Sequence, residues 1–500
     1  MDKKFTICRE WKIALGATWI VGLLAHAYRF FNFLPNWDSM HNFQGTGGTV
    51  TSGRWFLEVV SRISSPYDMP WINGAVSLLY LSIISILITE MYELKSNIAI
   101  GLTAAILVSY PTICSNFAYM FTADGYMAAF LLAVIGIWIT KKYKWGFLAG
   151  MLFICLSMGT YQAYLSVALM LVILLVLKDL LVSEKLFMKV FSDNWIYGVT
   201  VVGGAVLNSI ATKVINKIFS VTLDSYQGIN NVGLLEKEDY LIGLKRAQAS
   251  MKYFLGFTGL ANNELYSYIS VTIVMLIFCI SVWLVFEKKM YKKPLELICI
   301  MLCFVAMPIA CFIILFVSTQ VSYHTLMVMS VCMVYLLLVI LIECGKSKVF
   351  LWKWVKRVSA FILGLFVYYN VLHANYAYFQ MNLSYEKSYA LSSDVLERVE
   401  WLQEADKEYP IAIMGYYEAA TEEIKNLYPE IAGASDTTFL NAQAHYIKMW
   451  QYCYGREYDG VSNEEKALLS QTEAYQSMPV YPHRDSAAII DDVIVIKLSE

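Results

Sequence analysis

Apolar residues fill this chain in long runs separated by short polar stretches. Runs of about 20 residues recur at roughly 13–33, 71–90, 98–115, 124–140, 146–160, 163–182, 195–216, 268–286, 295–318, 323–343 and 355–373. About 20 residues is the length of helix that crosses a ~30 Å hydrocarbon core. The pattern predicts an all-α polytopic membrane protein with about 11 transmembrane helices. The first run follows a short basic N-terminus, the shape of a signal peptide. It ends in Ala27-Tyr28-Arg29-Phe30-Phe31, without a small-x-small cleavage site, so it is expected to remain as the first span.

The polar stretches alternate in charge. Lys3, Lys4, Arg9 and Lys12 flank the first span. Lys141, Lys142 and Lys144 fill a second loop, Lys288, Lys289, Lys292 and Lys293 a third, and Lys346, Lys348, Lys353, Lys356 and Arg357 a fourth. The intervening loops Asn116–Ala123 and Ser318–Tyr323 hold no Lys or Arg. The positive-inside rule then predicts a multi-pass protein with a cytoplasmic N-terminus and an extracytoplasmic C-terminal region.

Three outward segments are long enough to carry structure: 34–70, 217–267 and the tail from about 374. In the first, Arg54, Glu58 and Arg62 recur every four residues, opposite Trp55, Phe56, Val59, Val60 and Ile63. That predicts a helix lying in the membrane interface. In the second, Leu241, Leu244, Met251, Tyr253 and Phe254 interleave with Lys245, Arg246 and Lys252, which suggests the same. The tail is more polar, with a helical stretch near Asp394–Glu404 and strand candidates at Ile411–Met414 and Ile489–Leu498. The expected organisation is a membrane domain at 1–373 and a small α/β extracytoplasmic domain at 374–500.

Composition agrees with this division. The chain is 58% hydrophobic and 16% charged, against about 25% charged in soluble domains. Its formal net charge of −2 gives no electrostatic support for a nucleic-acid partner. The ten cysteines are scattered, mostly inside apolar runs, and no CxxC occurs. Neither a zinc site, a redox motif nor a disulfide framework is indicated. No Walker A motif, no Rossmann glycine fingerprint and no DxD metal motif in a soluble domain appears, so a nucleotide-sugar donor is disfavoured and no metal or cofactor is called for.

The polar groups that face outward carry the candidate chemistry. Asp38, in Asn36-Trp37-Asp38-Ser39-Met40-His41, stands just past the first span, where a carboxylate can serve as a base toward a hydroxyl. Arg54 and Arg62, with Lys245 and His324 in later outward segments, are candidates for holding a phosphate, and Gly53 allows close backbone approach. Asp124 begins the fourth span, either as a helix N-cap or as a second acidic group in an outward cavity. Tyr161-Gln162-Ala163-Tyr164 forms a tight outward hairpin, serving as interfacial anchors or as a surface for sugar, and Trp37 and His41 join Tyr161 and Gln162 as candidates for sugar and acceptor binding.

Asn36-Trp37-Asp38, Gly53-Arg54-Trp55, the outward Asp124 and Tyr161-Gln162-Ala163-Tyr164 together resemble the GtrII-type bacterial glucosyltransferases, of the GT-C class of integral-membrane glycosyltransferases. The resemblance implies a GT-C-like fold in a bacterial plasma membrane, a polyprenyl-phosphate-linked sugar donor with glucose as the expected sugar, and a cell-surface polysaccharide or glycolipid acceptor. It also implies a catalytic acid in the first outward loop, the position of Asp38. Two departures stand out. Asp38 has no acidic neighbour in sequence, and His324 occupies a later loop where an arginine for the donor phosphate is expected. The alternative reading is a flippase or transporter of lipid-linked sugar. That would favour mid-membrane charges and internal repeats, and neither is evident.

Overall fold

The computed structural model describes residues 8–43, 49–65, 67–225, 228, 236–256, 264–318, 320–403, 407–418, 431–434 and 439–500. The expected apolar runs are helical. In chain order the helices are α1 (Arg9–Phe31), α2 (Trp37–His41), α3 (Leu57–Ser61), α4 (Pro70–Tyr92), α5 (Asn97–Ser109), α6 (Pro111–Ala118), α7 (Met120–Lys142), α8 (Gly146–Thr160), α9 (Leu165–Leu181), α10 (Phe187–Ile218), α11 (Lys237–Phe254), α12 (Glu264–Glu287), α13 (Pro294–Cys311), α14 (Met329–Cys344) and α15 (Leu351–Leu402).

Among the described residues, nine helices are long and apolar enough to cross a membrane. Two of the eleven expected spans, α8 and α14, are shorter, at 15 and 16 residues. At 1.5 Å per residue they span about 22–24 Å, short of a ~30 Å core. Most of α14 is buried inside the bundle, so it is packed against protein and not against lipid. Between α5 and α6 the chain breaks at Tyr110, as expected of a residue that precedes a proline, and Pro111 opens the next helix. Small residues bring α7, α8 and α10 together. Gly136, Gly146 and Gly150 lie so close to neighbouring backbone that an added Cβ would overlap it or press on it, and Thr140 meets Thr200 at 3.2 Å.

The lysine-rich loops collect at one end of the bundle. Lys141 and Lys178 both bind Glu93 at 3.1 Å. Glu343 accepts from the Ser96 amide at 2.8 Å, Lys288 donates to the Ser183 carbonyl at 2.6 Å, and Ser347 donates to Glu287. The first outward segment, the α6–α7 junction, the 161–164 hairpin, α11 and residues 312–328 lie at the other end.

The long helix α15 spans position 373/374, where the sequence placed the domain boundary. It runs for 52 residues, about 78 Å, straight through that position. Residues 365–402 contain neither Gly nor Pro, so nothing in the sequence stops the helix. The stretch expected separately at Asp394–Glu404 is its last turns, with Glu404 outside the described residues. Leu391, Val395, Leu396 and Val399 of this end enter the core of the C-terminal domain.

That domain adds α16 (Gln443–Met449) and α17 (Asn463–Leu469) to β1 (Ile411–Met414), β2 (Ala487–Ile490) and β3 (Val493–Lys497), in the order β1-β3-β2. β1 and β3 are parallel, and β2 and β3 antiparallel. The single strand expected at Ile489–Leu498 is therefore a hairpin. Asp491 and Asp492 both take positive φ, 49° and 60°, which folds the chain back in a two-residue turn.

Candidate active site

The junction between α6 and α7 organises the end opposite the lysine-rich loops, because its carbonyls and side chains receive groups from other segments. Arg29 Nε donates to the Phe117 carbonyl at 2.9 Å, Asn36 Nδ2 to Ala118 at 3.2 Å and Asn73 Nδ2 to Met120 at 3.0 Å. One turn into α7, Ser64 donates to Asp124. Two residues further, the Tyr126 hydroxyl accepts from Arg54 at 3.2 Å. Asp124 is thus not an N-cap. The helix begins at Met120, and the carboxylate is sealed inside the protein with no exposed surface.

Arg54 does not share a helical face with Arg62, as the four-residue spacing suggested. Gly53 takes φ +69°, and a turn closed by Arg54 N to the Thr49 carbonyl at 2.9 Å places Arg54 ahead of α3, which starts at Leu57. Its guanidinium turns inward and lies over the Tyr161 ring at 4.9 Å. Tyr161 stacks on Tyr126 at 4.6 Å. Tyr161 and Tyr164 are buried, so they are not interfacial anchors, and Gln162 Nε2 donates to the Ser52 carbonyl at 3.1 Å. Half-buried His324 lies close enough to Arg54 to feel its charge. Burial first, then Arg54, holds the imidazole below its ordinary pKa. The fold therefore puts the later-segment histidine within range of the charge of the first-segment arginine, which lies against Tyr126 and Tyr161.

Asp38 sits in the first turn of α2, half-exposed. A capping box builds that turn: Asn36 Oδ1 accepts from Ser39 N at 3.0 Å, and Ser39 Oγ accepts from Asn36 N at 3.2 Å. Beneath it lies an acidic group that sequence spacing did not reveal. Asp68 is buried, faces the Ser39 hydroxyl, and meets Arg29 of α1 at 3.6 Å with both side chains fully buried. Burial pushes the Asp68 carboxyl up, while Arg29 pulls it down. Asp68 thus lies against Ser39, the residue next to Asp38, thirty residues along the chain.

The other candidates stand apart from these clusters. Arg62 is exposed and pairs with Glu58 of its own helix. Lys245 is exposed on α11, whereas the next residue, Arg246, donates to the Val321 carbonyl and ties α11 to the segment before His324. Trp37 and His41 turn toward the C-terminal domain: Trp37 packs on its core, and His41 meets His445 with ring centroids 4.6 Å apart. Among the described residues, no group of three His, Cys, Asp or Glu side chains is placed to hold a metal ion.

The family model for glucosyl transferase GtrII matches residues 27–341, more than half of the chain. This chain belongs to the GtrII glucosyltransferase family. No curated protein and no solved structure matches it. Membership makes this GtrII-family protein a glycosyltransferase, with a sugar donor and an acceptor. The match opens at Ala27 in α1 and closes at Leu341 in α14. It spans Asp38, Arg54, Asp124, Tyr161 and His324, and leaves out α15 and the C-terminal domain.

Arg29, Ser64, Asp68 and Tyr126 were missed from the sequence of this GtrII-family chain. One signal was available for the first. An arginine near the end of an apolar span needs a partner, and the next outward segment offers the acids Asp38, Glu58 and Asp68. Which of the three pairs with it is a matter of packing.

Proposed function

We propose that this GtrII-family protein transfers glucose from a polyprenyl-phosphate carrier to a hydroxyl of a cell-surface glycan, on the extracytoplasmic side. The observation that carries the reading is the inward-turned Arg54 against Tyr126 and Tyr161, with its charge felt at His324, at the end of the bundle opposite the lysine-rich loops. Arg54 holds the departing phosphate through its planar guanidinium, where negative charge grows as the glycosidic bond breaks. His324 adds a neutral hydrogen bond to the same phosphate. Asp38 takes the proton of the acceptor hydroxyl as its oxygen attacks the anomeric carbon. Attack from the face opposite the phosphate inverts that carbon. Half-exposed Asp38 suits this role better than Asp124, whose carboxylate is closed off from any substrate. Arg62 and Lys245, exposed and apart from Arg54, fall outside the phosphate site.

The test is glucose transfer from synthetic polyprenyl-phosphate glucose by purified protein in lipid, comparing wild type with Asp38→Asn. The substitution keeps the shape and removes the base. Transfer by wild type and a near-complete loss in the folded variant are expected. Full activity in the variant removes Asp38 from the mechanism.

A further inference from the structure

We propose that the C-terminal domain is a working part of the transfer site, with His445 as a positioning residue that fixes α2 and therefore Asp38. This rests on the reading of Asp38 as the base. The domain lies beyond the family match, so family membership assigns it nothing.

The starting point is the length of α2. It has five residues, and isolated helices below about 12–15 residues do not hold in water. Its place is therefore set by what it packs against. On the bundle side Asn36 is tied to Ala118 at 3.2 Å. The opposite contacts come from the C-terminal domain. Met40 is buried in one core with Val395, Val399 and Trp450, and Trp37 packs against the same core. Phe43, just past the helix, stacks on Tyr452 at 4.3 Å and 22°. His41 meets His445 of α16 at 4.6 Å and 63°.

His445 is the unusual member of this set. It is 2% exposed, and among the described residues neither ring nitrogen has a hydrogen-bond partner. Buried polar groups are nearly always paired, and an apolar ring would fill this place without that penalty. An imidazole offers a donor and an acceptor beside the ring of His41, one helical turn from Asp38 on the same side of α2. Rotation of one ring would let the two imidazoles form an N–H···N bond, which would fix His41 and, through it, the direction of Asp38.

The experiment uses the full chain in lipid nanodiscs, with His445→Ala, His445→Gln and a control, Leu469→Ala, which opens the other face of the sheet. Two quantities are read: hydrogen exchange of the 37–43 amides, and kcat with the KM of donor and acceptor. In His445→Ala, exchange in α2 rises and kcat falls roughly tenfold or more while the donor KM stays put, since a small misplacement of a reacting group costs about that or more. His445→Gln, which keeps a donor and an acceptor, recovers most of kcat. Leu469→Ala leaves both readouts at wild-type values. The proposal is overturned by unchanged α2 exchange in His445→Ala, by loosened α2 with intact kcat, or by the same losses in Leu469→Ala. Asp38→Asn in parallel separates the two readings: full activity there removes the base, while the exchange measurement still decides whether His445 holds α2.

Discussion

Replacing Asp68 with asparagine tests the buried pair beneath α2. Arg29 and Asp68 are both fully buried at 3.6 Å. With an effective dielectric of about 20, two unit charges at that separation attract by about 5 kcal/mol. Asp68→Asn keeps the shape and removes the anion, leaving the guanidinium with the Phe117 carbonyl at 2.9 Å and the Asn32 carbonyl at 3.1 Å. Breaking a buried pair from one side costs about 3–5 kcal/mol. Arg29→Met should cost less. A stranded carboxyl can take up a proton, and burial already pushes Asp68 in that direction. In the double variant no charge is left unpaired, so the coupling measured by the cycle should be at least about 2 kcal/mol. The assay is equilibrium unfolding of the purified chain in mixed micelles by SDS titration, with glucose transfer followed in the same samples. Costs that simply add, within about 0.5 kcal/mol, would mean that the two groups do not depend on each other, and the argument would fail.

Three further outcomes follow from the geometry. Arg54→Ala should lower kcat/KM for the lipid donor by about 10²-fold, the usual effect of losing a charge-stabilising donor; Arg54→Lys should recover little, because the guanidinium's planar stacking on Tyr161 is lost, and wild-type kinetics in Arg54→Lys would refute this. Gly159→Ala puts a methyl into the Trp55 indole beside Arg54, so unfolding titration should show a loss of about 1–3 kcal/mol, with transfer reduced as well; a stability within error of wild type would show that the neighbours yield freely. His445 is held at a pKa of about 4, by burial first and then by His41, below an unfolded value near 6.5. The unfolded chain therefore binds the proton first. The stability this residue contributes is fully present above pH 6.5 and is lost as pH falls toward 4, by up to about 1.4 kcal/mol per unit. His445→Phe should flatten that part of the profile, and an unchanged slope would count against a buried neutral His445.

Much of the membrane domain was legible in the sequence because the bilayer imposes a length on every crossing helix. That length marked each apolar run, and lysine placement marked which loops share an end. The misses have local causes. α8 and α14 carry full apolar character in only 15 and 16 residues, and hydropathy does not distinguish a helix facing lipid from one buried in protein. Asp491-Asp492 gave no clear strand break, since neither residue is glycine or asparagine. The site was half legible. Asp38, Arg54, Asp124, Tyr161 and His324 were chosen as polar groups at the outer ends of spans. The spacing of Arg54 and Arg62 misled, because Gly53 turns the chain before α3 begins and sends the two arginines in opposite directions.

By itself, then, the sequence determined class, the apolar helices and a set of polar residues near their ends, because these depend on hydrophobicity and charge along a single stretch of chain. Family membership rests on residues 27–341 and is likewise a property of the sequence. Only tertiary structure decided which of these groups meet. Arg54 lies over Tyr161, 107 residues further along, and Asp68 reaches back to Arg29 of α1. α2, too short to hold its own position, is placed by the end of α6 on one side and the C-terminal domain on the other. Pairings of this kind come from the packing of separate helices, where no local pattern records the partner.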